Sequence, residues 1–324
     1  MAKQKKQKLY CDEVADCNIR LINKCGEIIN ADKLVPIVAD DYTAQALQKG
    51  LTIEQIEPMV KAQLSSLQVM SQMSSLTALN NWYWGGRQVY RFDEELTTLL
   101  CSQTKGDISI DKSALNLLPI NHFYISLENK TTHGFFVSVS DNVLYISDMQ
   151  NDHTESYALT IPSEITLLSE IIENANDLIG VTVSKKQTVE LSKKISMYMQ
   201  FIVYLSAINA EITPITKGAV VTRQAGQKQV TRHDKTEISD VGYRLGNAIR
   251  ESRKEKPNIQ YVGEHSHGSP KSPHIRRSHF HSYWTGSGDD KELVVKWVNT
   301  IFIHGNNTNV STVHDVKQDT EQDT

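Results

Sequence analysis

Apolar residues recur at helical spacing through Ile53, Ile56, Val60, Leu64, Leu67 and Met70, and Met73, Leu76 and Leu79 carry the series toward Trp82. Thr52 followed by Gln55 forms a capping box at its start. A shorter helix is expected from Asp40 to Gly50, where the glycine supplies a left-handed closing residue. The period then changes to that of strands at His122–Leu127, Gly134–Ser140, Val143–Asp148 and Tyr157–Ile161. Turn residues such as Asp141-Asn142 separate them, which predicts an antiparallel meander. A short helix is expected from Pro162 through Ile172. A longer one carries Val189, Ile195, Tyr198, Ile202, Leu205 and Ile208, and it is apolar around much of its circumference, as a buried spine would be. The polar stretch 213–236 has no period and is expected to be a mobile loop. Ser239 or Asp240 then opens a helix that turns Val241, Leu245, Ala248 and Ile249 inward and leaves Arg244, Arg250 and Arg253 outside.

The last pattern is a hairpin. Read as a strand, residues 276–284 place Arg277, His279, His281 and Tyr283 on one face, and Arg276, Phe280 and Trp284 on the other. Phe280 and Trp284 are expected to face the core. Gly286 and Gly288-Asp289-Asp290 supply turn residues. The returning arm puts Leu293, Val295, Trp297, Ile301 and Ile303 on one side. The expected fold class is α+β, with helices packed on an antiparallel sheet that takes in the C-terminal β-hairpin. Residues 1–35 are expected to be a weakly ordered basic region, 36–304 a single domain, and 305–324 a disordered tail.

Composition sharpens this picture only when the charge is divided. The formal net charge is −4, but residues 217–277 hold 13 Lys/Arg against 6 Asp/Glu, so this stretch carries +7 and the remainder −11. Four cysteines, Cys11, Cys17, Cys25 and Cys101, match neither a metal knuckle nor a disulfide framework, which fits reduced thiols in the cytoplasm. The basic start leads into no apolar signal region, and no apolar run approaches the ~20 residues of a membrane span.

Four chemistries are compatible with the C-terminal block. The pairs His265/His267 and His279/His281 suggest metal ligands, but no cysteine and few carboxylates lie near them to complete a zinc set. Two imidazoles beside arginines and a tyrosine could serve a ribonuclease as general acid and base, although no paired-carboxylate site accompanies them. Lys/Arg clusters with interleaved aromatics suit nucleic-acid binding. Arg, His, Tyr and Trp on a strand also suit peptide recognition, with an open strand edge available for β-augmentation. The stretch Trp82–Leu96, with its aromatics, Arg87 and Tyr90, is either a helix-to-strand corner or one wall of a groove.

The run Pro273-His274-Ile275-Arg276-Arg277-x-His279-aromatic-His281-x-Tyr283-Trp284-x-Gly286 closely resembles the C-terminal signature of a type V-A anti-CRISPR family that blocks biogenesis of the Cpf-class effector nuclease. Trp84-x-x-Arg87-x-x-Tyr90-x-x-Asp93-Glu94-Glu95 resembles a second shared segment, and Val241-Gly242-x-Arg244-Leu245-Gly246 with Arg250 a third. Ala210-Glu211-Ile212 ends the helix that stands between them. Phe280 stands where the family motif has Trp, and residues 1–80 show no match. The resemblance implies a non-enzymatic recognition protein of a phage or mobile element, acting without cofactor in the cytoplasm of the host bacterium. Its partner would be the N-terminal peptide of a type V effector, with the translating ribosome, the message or a recruited host nuclease as further partners and no membrane. The expected recognition surface is His274, Arg276, Arg277, His279, His281, Tyr283 and Trp284, with Arg87, Tyr90, Arg244 and Arg250 as a second wall.

Overall fold

A computed structural model describes residues 9–64, 67–102, 107–127, 133–149, 154–178, 184–218, 220–225, 228–233, 235–254, 274–276, 279–287, 291–298 and 301–303. The basic start, the loop before Pro273, Arg277 and the expected C-terminal tail lie outside these residues. The N-terminal part is helical, in α1 (Tyr10–Cys17), α2 (Ile19–Cys25), α3 (Ala31–Gln48), α4 (Ile53–Leu64) and α5 (Leu67–Trp84). Gly50 closes α3 at φ 81°. The Gln55 side chain accepts from Thr52 N at 3.0 Å, one half of the expected box. Asn30 caps α3 by accepting from Lys33 N, so this helix starts nine residues before the apolar period suggests.

Residues 10–25 depart from the expectation of weak order. Cys11, Ala15 and Ile22 are buried with Trp82 and Tyr83 of α5 and with Tyr124, Phe136 and Tyr145 of the sheet. Helices this short have little stability alone and are held by the surface on which they dock.

The sheet contains β1 (Gln88–Phe92), then β3 (His122–Leu127), β4 (Gly134–Ser140), β5 (Val143–Met149) and β6 (Thr154–Thr160), with β8 (Ile212–Thr216) and β11 (Glu237–Val241) at the far side. Between them run α6 (Glu94–Ser102), the two-residue strands β2 (Ser109–Ile110) and β7 (Thr166–Leu167), α7 (Lys112–Asn116), α8 (Leu168–Leu178) and α9 (Lys185–Ser206). The strand order is β6-β5-β4-β3-β1-β11-β8. The meander β3–β6 is antiparallel as its pattern predicts. The central strand β1, however, is parallel to both β3 and β11. Stretch 213–236, expected to be a loop, contributes the end of β8 and a two-stranded ribbon, β9 (Val220–Ala225) with β10 (Lys228–His233). Helix α10 (Tyr243–Lys254) follows β11.

One face of the sheet is covered by α5 with α1 and α2, the other by α9. On the α9 side, Phe135 meets Tyr198 and Phe92 meets Phe201 edge-on, at 4.7 and 5.2 Å between centroids. Helix α9 is the buried spine its composition predicts, although Val189 is half exposed. The last elements are β12 (His274–Arg276), β13 (His279–Thr285), β14 (Glu292–Val298) and β15 (Ile301–Ile303). They pair as β12–β15 and β13–β14, outside the seven-stranded sheet that was expected to include them. Both pairs share one register, since Arg276 opposes Ile301 and His279 opposes Val298.

A polar seam ties the N-terminal layer to the sheet. Asn81 Nδ2 donates to Ile29 O, Ser138 Oγ and Ser140 Oγ, and His122 Nδ1 lies 3.0 Å from Ser138 Oγ. Burial keeps His122 neutral, its pKa lowered from 6.5 to about 4. The unfolded chain therefore takes up this proton first as the pH falls. Stability is full above about pH 6.5 and drops by about 3 kcal/mol toward pH 4. Urea midpoints measured from pH 7 to 4 should show this slope, and His122→Gln should flatten it.

Candidate functional site

The site is organised by the turn after α9. Ile208 N donates to Val295 O at 2.8 Å. The Asn209 amide holds both backbone groups of Trp297: its Nδ2 donates to Trp297 O and its Oδ1 accepts from Trp297 N, each at 2.8 Å. Leu293, Val295 and Trp297 are thereby buried against the core, on the side that the alternation of β14 predicts. The Trp297 ring meets Tyr204 at 5.6 Å and Phe280 at 4.6 Å.

Strand β13 is the outer arm. Phe280, Ser282 and Trp284 oppose Trp297, Val295 and Leu293, and so share the core-facing side of the ladder. Only Phe280 packs against the core. Trp284, expected to be buried, is 56 % exposed, because the strand bearing it lies outside the one seated on α9. On the opposite side His279, His281 and Tyr283 are exposed, and Lys296 stands across from His281. The His281 and Tyr283 rings lie 5.6 Å apart. The result is a row of two imidazoles and a phenol on one side of a strand whose partner is fixed to the body, with the exposed Trp284 indole on the other side. His274 and Arg276 lie on β12, which pairs with β15 in the same register.

The same turn also holds α10. Glu211 O accepts from Gly242 N, and the Glu211 carboxylate accepts from Arg244 N at 2.9 Å and Leu245 N at 3.1 Å, satisfying the first turn of the helix. Asp93 binds Arg250 through two bonds of 3.1 and 2.9 Å, with its side chain only 4 % exposed. Asp93 Oδ1 also accepts from Glu95 N at the start of α6. Beside it, Arg91 bonds Asp240 at 2.8 Å through Nε. The starts of α6 and α10 thus lie together at the carboxyl ends of parallel β1 and β11, and ion pairs fill the space between them.

The expected second wall does not form one surface. Tyr90 is in the core, edge-on to Phe123, and burial pushes its pKa up to about 12. Arg87, at φ 54°, stacks its guanidinium 3.9 Å from the Tyr83 ring centroid. Arg250 is occupied by Asp93, whereas the Arg244 side chain is 90 % exposed. The corner reading of residues 82–96 therefore stands, and the wall reading fails because β1 is a central strand. Asn209 carries the geometry with no period or motif of its own. Asp93, by contrast, lies in the second shared segment, and Glu211 in the run Ala210-Glu211-Ile212, which the structure places in the turn after α9 and the start of β8 instead of at the helix end. Among the described residues, no group of three or more His, Cys, Asp or Glu is placed to hold a metal ion. No described helix is long and apolar enough to cross a membrane.

A model of the AcrVA2-like family, anti-CRISPR type V subtype A2, matches residues 90–305. The crystal structure of AcrVA2 is similar over 92 % of this chain and 100 % of that one, at a TM-score of 0.49 and 17 % identity. No curated protein matches the chain.

Proposed function

Because the chain belongs to the anti-CRISPR type V subtype A2 family, we propose that it binds the N-terminal polypeptide of a type V effector nuclease during translation and lowers effector expression through loss of the message. One observation carries the reading: His279, His281 and Tyr283 face solvent on one side of β13 and Trp284 on the other, while the neighbouring strand is locked to the turn after α9. A rigid row of this kind meets a peptide without first having to be ordered, which reduces the entropic cost of binding. Aromatic and imidazole groups offer contact area and hydrogen bonds, and the backbone edge of β13 can add an extended strand. His274 and Arg276, on β12, would lengthen the contact, and Arg277 stands between β12 and β13 in the sequence. The reading needs no chemical step in the chain itself.

The test uses the purified full chain, a fluorescent peptide of the effector's first residues and labelled effector message. Replacing both His279 and His281 by alanine is expected to weaken peptide binding by about 30-fold or more. Because both side chains are exposed, the melting transition should move little. An unchanged peptide affinity would refute the assignment of the row. Cleavage of the message that vanishes in the same variant would make the chain a ribonuclease instead.

A further inference from the structure

The ribbon β9–β10 lies apart from the peptide-reading row and has its own chemistry. It is an excursion between β8 and β11, which pair with each other at the margin of the sheet. Its root is closed: Thr216 Oγ1 donates to Thr236 O at 3.3 Å and accepts from Ile238 N at 3.0 Å. Residues 217–236 contain Lys217, Arg223, Lys228, Arg232 and Lys235 against Asp234 alone, five positive charges and one negative. The excursion therefore carries +4, and the remaining residues sum to −8 to give the chain's −4. Lys217 and Lys235 are exposed at the root.

The register arranges the other three cations. Arg232 opposes Val221, Arg223 opposes Val230, and Lys228 opposes Ala225. All three belong to one alternating set of the ladder and recur at every second pair, about 7 Å apart. The complementary set holds Thr222, Thr231, Gln224 and Gln229, with His233 opposite Val220 as its last pair, and no Lys or Arg. The excursion has no Phe, Tyr, Trp, Leu or Ile. It thus lacks the aromatic platforms that stack bases and the large apolar groups that insert into a lipid surface.

From this arrangement we infer that the ribbon is a nucleic-acid arm: it binds the phosphate backbone of a strand, without reading its sequence, through Arg223, Lys228 and Arg232 with Lys217 and Lys235 at the root. A positive arm on a negative body also orients the encounter, because the body is repelled by the polyanion that the arm attracts. The assignment does not depend on peptide recognition by β13.

The full chain should be titrated into a labelled 20-nucleotide RNA of mixed sequence, and into DNA of the same sequence, over a range of salt concentrations. With about 0.7 per neutralised phosphate, five cations give a log–log salt slope near −3.5. The variant Arg223→Gln/Lys228→Gln/Arg232→Gln should lose about two units of that slope and at least tenfold in affinity at low salt. Lys217→Gln/Lys235→Gln, which alters only exposed residues at the root, should lose a little over one unit and covers the case in which the triple variant does not fold. His279→Ala/His281→Ala should leave the titration unchanged. Tighter binding of RNA than of DNA would identify the natural strand as RNA. The inference is overturned if the wild-type chain binds neither nucleic acid, if the glutamine variants keep the wild-type slope, or if only phosphatidylserine vesicles are bound.

Discussion

Replacing Trp297 by alanine should destabilise the chain by about 3 kcal/mol and abolish recognition by the hairpin. The indole is 2 % exposed and joins three elements, touching Tyr204 on α9 and Phe280 on β13 from its place on β14. A buried Trp truncated to Ala typically costs 3–5 kcal/mol in lost contacts and residual cavity. The lower end is expected because Trp297 Nε1 is buried without a hydrogen-bond partner among the described residues, and its removal relieves a desolvation cost. The backbone bonds to Asn209 do not need the indole, so the arm should loosen before the body unfolds. Hydrogen exchange would show this as lost protection over residues 292–298 with the meander β3–β6 still protected. Trp284→Ala is the contrast. Its indole is 56 % exposed, so the same truncation should barely move the denaturation midpoint while weakening peptide binding. If both variants are equally unstable, the division of the hairpin into an anchoring arm and a reading arm is wrong.

The second large effect is expected at Gly246. Alanine is the better helix former by about 1 kcal/mol, so propensity alone predicts a gain. Packing predicts the reverse. A Cβ at this position would overlap the Asp93 carboxylate, which is already committed to Arg250 and to Glu95 N. Either Asp93 releases both partners, or α10 lifts away from α6 and loses the cap supplied by Glu211. A net loss of about 2–4 kcal/mol follows from overpacking and the loss of a half-buried ion pair and a cap. Urea denaturation measures it. In an Asp93→Gly background the same Gly246→Ala change should cost nothing or stabilise, which isolates the steric cause. Gly242 has a different reason to be glycine. It sits at φ 74° against Leu96, so both backbone conformation and space exclude a side chain there.

Local pattern alone was sufficient wherever a residue's environment depends on its neighbours in the chain. The meander β3–β6, the spine α9, the closing Gly50 and the buried stripe Leu293-Val295-Trp297 all follow from apolar period and turn chemistry, because each element buries the face its own alternation defines. The family was legible too, in a C-terminal motif dense enough in rare residues to be specific. What only the tertiary structure decided is pairing between distant segments. The parallel placement of β1 between β3 and β11 sends Tyr90 into the core, and no local signal fixes which strands lie beside it. Helices α1 and α2 gain their order from the surface they dock on. The ribbon β9–β10 mixes polar and apolar residues on both alternating sets and therefore has no hydrophobic period to detect. Trp284 lies on the side that alternation predicts but remains exposed, since alternation fixes a direction and not whether another layer exists to cover it. Asn209 and Glu211 join the hairpin and α10 to one turn through hydrogen bonds, and such bonds leave no periodic trace in a sequence.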